Sequence, residues 1–208
     1  MLNQNKEYKN INEFLNSQLN LHQNLSLDFS TSKLSLQDLS NLSSAFKKTV
    51  NLSCLQINLK NNKLGKQGIQ ALATALENCK NVTFLSLNLM NDDIFGSDLT
   101  CLGMALANFQ IIEKLQLDLS GNNFGNNLNG LASALQNCIS LKYLELKLLY
   151  NRIDQSGAIA LLPITTLPHL ITLNLNLRNN LLQLSNSGNG YCKLMNGVYK
   201  IKRLVLNQ

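Results

Sequence analysis

Apolar and polar residues alternate in short segments that recur along the chain at a nearly constant interval. Six segments carry a large apolar residue at every second position over five residues, and they begin at Leu25, Leu55, Leu85, Leu115, Leu144 and Leu173. Successive starts lie 30, 30, 30, 29 and 29 positions apart, and a seventh segment, Leu204-x-Leu206, begins 31 positions after the sixth. Alternation with a period of two is typical of a β-strand that buries one face. The pattern therefore predicts seven strands in a repeating unit.

A second apolar pattern fills the interval between the strands. A polar turn residue stands three positions after each segment, and these residues are Ser32, Asn62, Asp92, Asn122, Asn151 and Asn180. Before the next strand, apolar residues recur on one helical face, as in Ile69, Leu72, Ala75 and Leu76. Each unit is thus predicted to contain a strand, a turn, a helix and a return loop. Crossover helices make the strands parallel, and because helices are wider than the strand spacing of roughly 4.8 Å, the sheet should curve with its strands on the inner wall.

These residues carry a family resemblance. Residues 55–65 read Leu-x-Ile-x-Leu-x-x-Asn-x-Leu-Gly, and residues 68–76 read Gly-Ile-Gln-Ala-Leu-Ala-Thr-Ala-Leu. Both segments resemble leucine-rich repeat proteins of the long, ribonuclease-inhibitor-like class, and the 30-residue Asn-rich units are similar to repeat families of protists. The resemblance implies an α/β leucine-rich repeat solenoid, a curved horseshoe with a parallel β-sheet on the concave face and helices on the convex face.

The resemblance also divides the chain and assigns a structural role. Residues 25–208 would form a leucine-rich repeat array of about six units plus a final strand. In that family the turn residue stacks into a ladder whose side-chain amides bind backbone groups of adjacent turns. Here the ladder residues would be Asn62, Asp92, Asn122, Asn151 and Asn180.

The two ends of the chain depart from the regular pattern. Residues 1–24 carry no strand pattern, but Tyr8, Ile11, Phe14 and Leu19 fall at helical spacing, which predicts an N-terminal cap helix. An amphipathic membrane-binding helix is the alternative. At the other end, Leu204-x-Leu206 is followed by no helix, and repeat arrays usually end in a polar cap. We therefore expect this uncapped C-terminal end to dock against another copy or another subunit.

The last two helical segments are irregular. Pro163 stands where Ala usually stands in the other stripes, so the fifth helix should be short and end near Leu162. In the sixth unit, residues 185–190 are rich in Ser, Asn and Gly and predict a flexible turn. The apolar stripe then resumes as Tyr191, Leu194, Met195, Val198 and Ile201.

Composition narrows the class of protein. The 208 residues include 46 Leu and 32 Asn but no Trp, and 45% of them are hydrophobic, which is too many for a disordered chain. No apolar run approaches the roughly 18 residues of a membrane span, and no secretory signal is visible. The five Cys are scattered and odd in number, which favours free thiols in a reducing compartment. We expect a cytoplasmic protein without a membrane span.

Candidate catalytic chemistry is sparse. The two histidines, His22 and His169, are far apart in the sequence, and neither has a carboxylate at ligand spacing. The segment Gly121–Gly125 occupies the ordinary post-strand turn rather than a phosphate loop. The sequence therefore predicts a non-enzymatic protein with no cofactor and no metal.

The inner wall of the sheet is the predicted binding surface. Its residues are the alternate strand positions that point away from the helices, and they are polar, small and of mixed charge. The candidate protein-binding residues are Asn58, Lys60, Asn88, Met90, Asp118, Glu145, Lys147, Asn176 and Arg178. We expect this wall to lack the Trp, Tyr and clustered Arg that usually anchor tight interfaces. The alternative is a solvated wall, with binding at Met90, Leu149 and Tyr150 near the strand ends.

Three functions are compatible with these features of the sequence. The first is a protein–protein interaction scaffold that binds through the concave sheet and its loop edges. The second is a repeat subunit docked in a large assembly, or the repeat part of a kinase-linked protein. The third is a GTPase-activating protein of the leucine-rich repeat type, although Arg152 beside Asn151 reads as a turn residue. The net charge is +6, but no stacking aromatics interleave the basic residues near the C-terminus, which disfavours nucleic acid as the partner.

Overall fold

The alternating segments form the strands of one parallel sheet, and the helical stripes form the helices between them. The computed structural model describes residues 5–182, Leu194 and the backbone of 203–207. The strands are β1 (Asn5–Tyr8), β2 (Asn24–Asp28), β3 (Cys54–Asn58), β4 (Phe84–Asn88), β5 (Lys114–Asp118), β6 (Tyr143–Lys147), β7 (Thr172–Asn176) and β8 (Arg203–Asn207). The helices are α1 (Ile11–Leu15), α2 (Leu36–Phe46), α3 (Gly65–Leu76), α4 (Leu99–Ala107), α5 (Asn129–Leu135) and α6 (Gln155–Ala160). Short 3₁₀ segments cover Leu19–Leu21, Gly96–Asp98 and Leu162–Thr166.

The sheet order follows the chain order. Each strand from β1 to β7 pairs in parallel with the next one, and β8 pairs with β7. Equivalent residues of successive units lie side by side, so that Leu25, Leu55 and Leu85 are register partners. The described residues thus form an α/β fold with a single open parallel sheet and a repeat-like architecture. The seven strands predicted from the sequence are confirmed as β2 to β8.

The core lies between the sheet and the helices. Strands β2 and β4 to β7 alternate buried and half-buried positions, with the leucines on the buried face. The helical stripes meet these leucines, and Leu72, Leu102 and Leu131 are fully buried in α3, α4 and α5. Neighbouring helices also contact each other along the series from α2 to α5. The apolar faces of the sheet and of the helices thus share one continuous core. Burial of apolar surface in such a core is the main favourable contribution to the free energy of folding.

The N-terminal segment differs from the cap helix expected over residues 1–24. Asn5–Tyr8 forms a strand, β1, that pairs with β2, and α1 spans only Ile11–Leu15. Only Tyr8 is buried in β1, so the strand shows no alternation that could reveal it in the sequence. The expected apolar residues nevertheless reach the core, because the Phe14 ring lies 5.5 Å from that of Tyr8 and 6.1 Å from that of Phe46.

The fifth unit has the short helix predicted from its proline. Helix α6 ends at Ala160, and Pro163 lies at the start of the following 3₁₀ segment. A backbone N–H at the start of a helix has no helical acceptor, so proline, which lacks this group, costs no hydrogen bond here. The turn expected at 185–190 and most of the apolar stripe after it lie outside the described residues, except that Leu194 is buried. The expected docking of the C-terminal end depends on side chains that also lie outside this range.

Candidate interaction surface

The sheet face opposite the buried leucines, hereafter the open face, carries rows of register partners. Each row runs across the strands, one residue per unit. The middle row is Ser26, Gln56, Ser86, Gln116, Glu145 and Asn174, and the row at the strand ends is Asp28, Asn58, Asn88, Asp118, Lys147 and Asn176. The candidate residues beyond the strands, Lys60, Met90 and Arg178, follow two positions later. The sheet register therefore brings the predicted binding residues together on one surface.

Most residues of the strand-end row also hold the turns that follow them. A side-chain oxygen of the Asn or Asp accepts a hydrogen bond from the backbone N–H two residues later. The N···O distances are 3.3 Å for Asn58 and Lys60, 3.0 Å for Asn88 and Met90, 3.1 Å for Asp118 and Ser120, and 3.2 Å for Asn176 and Arg178. Such Asx turns explain why this polar position recurs. Asn58, Asn88, Asp118 and Asn176 thus have a structural role that the sequence pattern did not separate from binding.

Lys147 interrupts this row and forms an ion pair instead. Its Nζ lies 3.0 Å from Oε1 of Glu145, while Gln116 donates to Oε2 of Glu145 at 2.7 Å and the Tyr143 hydroxyl donates to the same oxygen at 3.1 Å. Burial alone would raise the pKa of Glu145, but the hydrogen bonds from Gln116 and Lys147 outweigh it and lower that pKa. Glu145 is therefore an ionised carboxylate with three side-chain partners in the middle of the open face.

A row that precedes the leucine pattern adds a cationic and aromatic cluster. Phe84, Lys114 and Tyr143 are register partners at the start of β4, β5 and β6. The Lys114 ammonium lies 4.5 Å from the centroid of the Phe84 ring and 5.2 Å from that of Tyr143. Among the described residues, no carboxylate lies within ion-pair distance of this ammonium. We call Phe84, Lys114 and Tyr143 the ring–lysine cluster.

This cluster corrects the expectation that the wall lacks aromatic anchors. Phe84 and Tyr143 lie on the open face because alternation continues one position before the first leucine of each strand. The repeated Leu-x-Leu pattern identifies only the residues inside it. Phe84, Lys114 and Tyr143 lie one position before it and differ in chemistry from unit to unit. Extending the period of two by one step towards the N-terminus would have found them.

The described part of the chain has shallow surface depressions. One of about 140 Å³ lies over β4 to β6 and includes Gln116, Asp118, Glu145 and Lys147 in its lining. A larger depression of about 550 Å³ lies at the opposite strand ends and includes His169 and the ion pair between Lys142 and Glu113, whose N···O distance is 2.7 Å. Both charged groups of that pair are about half exposed, as in an ordinary surface groove. The depression over β4 to β6 is smaller than the roughly 300–1,000 Å³ of small-ligand pockets, so this part of the open face suits a macromolecule better.

The turn residues form a separate hydrogen-bonded series behind the strand ends. Asn122 donates through Nδ2 to the carbonyl groups of Leu89 and Leu119, both at 2.9 Å, and its Oδ1 accepts from the N–H groups of Asp92 and Ile94 at 3.1 Å. Asn62, Asn151 and Asn180 make equivalent contacts to their own and the preceding unit. These residues satisfy buried backbone groups, which otherwise cost folding free energy.

Cys79, Cys138 and His22 lie in surroundings that indicate a structural role. Burial raises the pKa of the Cys79 thiol to about 12 and that of Cys138 to about 11, so neither is a nucleophile at neutral pH. Burial, with a smaller effect of Lys6, lowers the pKa of His22, whose ring nitrogen lies 2.9 Å from the Ser17 hydroxyl. Over the described part of the chain, no three His, Cys, Asp or Glu residues are grouped as metal ligands.

Two further observations bear on the class of protein. No helix within the described ranges is long and apolar enough to cross a membrane. No protein-family model matches the chain, and comparison with curated proteins finds no match.

Proposed function

We propose that the chain is a leucine-rich repeat solenoid that acts as a non-enzymatic interaction scaffold. In this proposal the sheet is curved, and the open face is its concave side and binds a protein partner. The repeating strand–turn–helix unit, the in-register parallel sheet and the series of turn amides support the repeat class. The free cysteines of the described residues support a reducing, cytoplasmic location.

The observation that carries the binding proposal is the ring–lysine cluster. Aromatic residues are enriched among the residues that dominate binding energy, because they bury a large area at a small cost in side-chain entropy. Lys114 presents a cation between two rings, where a partner carboxylate could contact it while apolar groups cover the ring edges. Gln116, Glu145 and Lys147 beside it supply an oriented polar rim.

The test reverses one charge on the open face and one on the helix side. Lys114→Glu replaces the ammonium between the rings, and Lys66→Glu makes the same change at an exposed position of α3. Each variant is compared with the wild type by affinity capture from an extract of the source cells. The captured protein is then purified and its Kd is measured by calorimetry, with circular dichroism and thermal unfolding as checks of folding.

We expect Lys66→Glu to bind like the wild type and Lys114→Glu to weaken binding by at least about 30-fold, which corresponds to the roughly 2 kcal/mol of an interface hot spot. Equal Kd values for all three folded proteins would contradict binding through the cluster. The two other functions give different results in the same experiment. A subunit of a large assembly would co-purify with several proteins in fixed ratio, and a GTPase-activating protein would accelerate GTP hydrolysis by the captured partner.

A further inference from the structure

Between Asn62 and Asn180, one turn residue is not an amide. At Asn62, Asn122, Asn151 and Asn180 the side-chain Nδ2 donates hydrogen bonds to carbonyl groups of two successive units. The equivalent residue between the first two is Asp92, which has a second oxygen where the others have an NH₂ group. Asn62 and Asn122 donate to the carbonyl groups 3 and 33 positions before them, and by this spacing the corresponding acceptors at Asp92 would be the carbonyl groups of Leu89 and Leu59.

Asp92 is fully buried, and only one of its two oxygens is satisfied. Oδ1 accepts a hydrogen bond from the backbone N–H of Asn62 at 2.7 Å, in the same way as the Asn side chains. Oδ2 is buried and has no hydrogen-bond partner. An ionised carboxylate at this place would direct an unpaired negative oxygen towards two carbonyl oxygens, and burial of such a charge is costly.

We propose that Asp92 is a proton-binding site that makes the stability of the turn after β4 depend on pH. In its neutral form the carboxylic acid donates Oδ2–H to the carbonyl oxygen of Leu59 or Leu89 and so replaces one of the two amide hydrogen bonds. On ionisation the proton leaves to solvent and the hydrogen bond is lost. This inference is independent of the proposed binding function.

The surroundings of Asp92 favour the neutral form. Burial is the largest effect and raises the pKa of Asp92 to about 6, against the opposing hydrogen bonds from the backbone N–H groups of Asn62, Leu64 and Lys63. The nearby charge of Asp93 raises the pKa further. Asp98 lies at the end of the 3₁₀ segment that follows Asp92, and its carboxylate accepts a hydrogen bond from the backbone N–H of Phe95 at 3.0 Å.

The sign of the pH effect follows from these pKa values. An unfolded Asp has a pKa near 3.8, so between about pH 4 and pH 6 the folded protein holds a proton that the unfolded chain has lost. The contribution of Asp92 to stability is complete below about pH 4 and is lost as the pH rises through about 6. His22 acts in the opposite direction, because its lowered pKa removes stability as the pH falls.

The experiment compares Asp92→Asn with the wild type, so that the contribution of His22 cancels. Asn restores the amide donor of the neighbouring turns without a titratable group. Chemical unfolding of the full chain is followed at pH values of about 5 and 7.5. Asp93→Asn is the matched control, because Asp93 is exposed and adjacent to Asp92.

We expect Asp92→Asn to shift the unfolding midpoint upwards at about pH 7.5 and to do so less at about pH 5, where part of the contribution of Asp92 remains, whereas Asp93→Asn, which removes only the small effect of its charge on the pKa of Asp92, shifts it little at either pH. An upward shift of equal size at both pH values, or a lower midpoint for Asp92→Asn at about pH 7.5, would overturn the proposal. A direct measurement covers the case in which the variant does not fold. The ¹³C NMR signal of the Asp92 carboxyl carbon in the wild type should titrate near pH 6, and titration near the ordinary value of about 3.9 would equally overturn it.

Discussion

Asn122 lies where backbone groups of three consecutive units converge. Its amide donates to carbonyl groups of its own and the preceding unit, and its N–H donates to Oδ1 of Asn151 at 3.2 Å. A single side chain thus satisfies groups that β-sheet hydrogen bonds do not reach. The cost of removing it is set mainly by the buried donors and acceptors that lose their partner, rather than by the apolar volume lost.

Replacement of Asn122 by Ala should therefore destabilise the fold by roughly 1–3 kcal/mol, because the deleted amide leaves buried backbone groups without a partner. Urea unfolding of the two proteins measures this difference. Asn129→Ala is the control, since Asn129 is exposed at the start of α5 and Ala is a good helix former. Similar, small effects of both substitutions would contradict the role assigned to Asn122.

The chemistry of individual side chains was predicted unevenly from the sequence. Asn122 was identified because its position recurs in every unit. The missing amide at Asp92 was visible in the sequence as an Asp among Asn residues. Its effect on the pKa of Asp92 depends on the burial of Oδ2, which only the structure shows. The ring–lysine cluster escaped prediction because its three residues share a position in the sheet but no residue type.

At the scale of elements, the close approach of neighbouring helices depends on small residues. Gly103 of α4 faces α5 so closely that an added Cβ would lie 2.8 Å from the carbonyl oxygen of Gly130 and 2.9 Å from the Cβ of Ala134. A backbone carbonyl in a helix cannot turn away as a side chain can. The spacing of α4 and α5 is therefore set by the absence of a side chain at Gly103.

The substitution Gly103→Ala tests this contact. Overpacking typically costs about 1–3 kcal/mol, whereas the higher helix propensity of Ala recovers at most about 1 kcal/mol, so we expect net destabilisation. Met104→Ala, at an exposed position of the same helix, should change the free energy of unfolding little. A Gly103→Ala protein with a higher melting temperature than the wild type would show that α4 and α5 can move apart freely.

The elements themselves were predictable to the extent that one face of each is buried. Strands β2 to β8 and the shortened α6 were read from alternation, helical spacing and Pro163, because the core imposes those patterns. Strand β1 has a single buried residue, Tyr8, and the backbone pairing with β2 that creates it leaves no trace in the order of polar and apolar residues. An edge element of this kind is specified by its neighbour rather than by its own pattern.

At the scale of the whole molecule, the described units form a linear series in which each contacts its neighbours. Adjacent strands pair in order, and the main contacts between helices are those of α2 with α3, α3 with α4 and α4 with α5. In such an array the stability approximates a sum of unit terms and nearest-neighbour terms. The coupling between two substitutions should therefore depend on how many units separate them.

A pair of double-mutant cycles measures this dependence. Asn122 and Asn151 are adjacent, and both amides donate to the carbonyl group of Leu119, whereas Asn62 and Asn180 are four units apart and share no acceptor. We expect Asn122→Ala and Asn151→Ala to be non-additive by about 0.5–3 kcal/mol, because removal of either amide changes what the other loses. Asn62→Ala and Asn180→Ala should add to within about 0.5 kcal/mol. Comparable coupling energies in the two cycles, measured by urea unfolding with unchanged m-values, would contradict a nearest-neighbour array and indicate that its ends respond to each other directly.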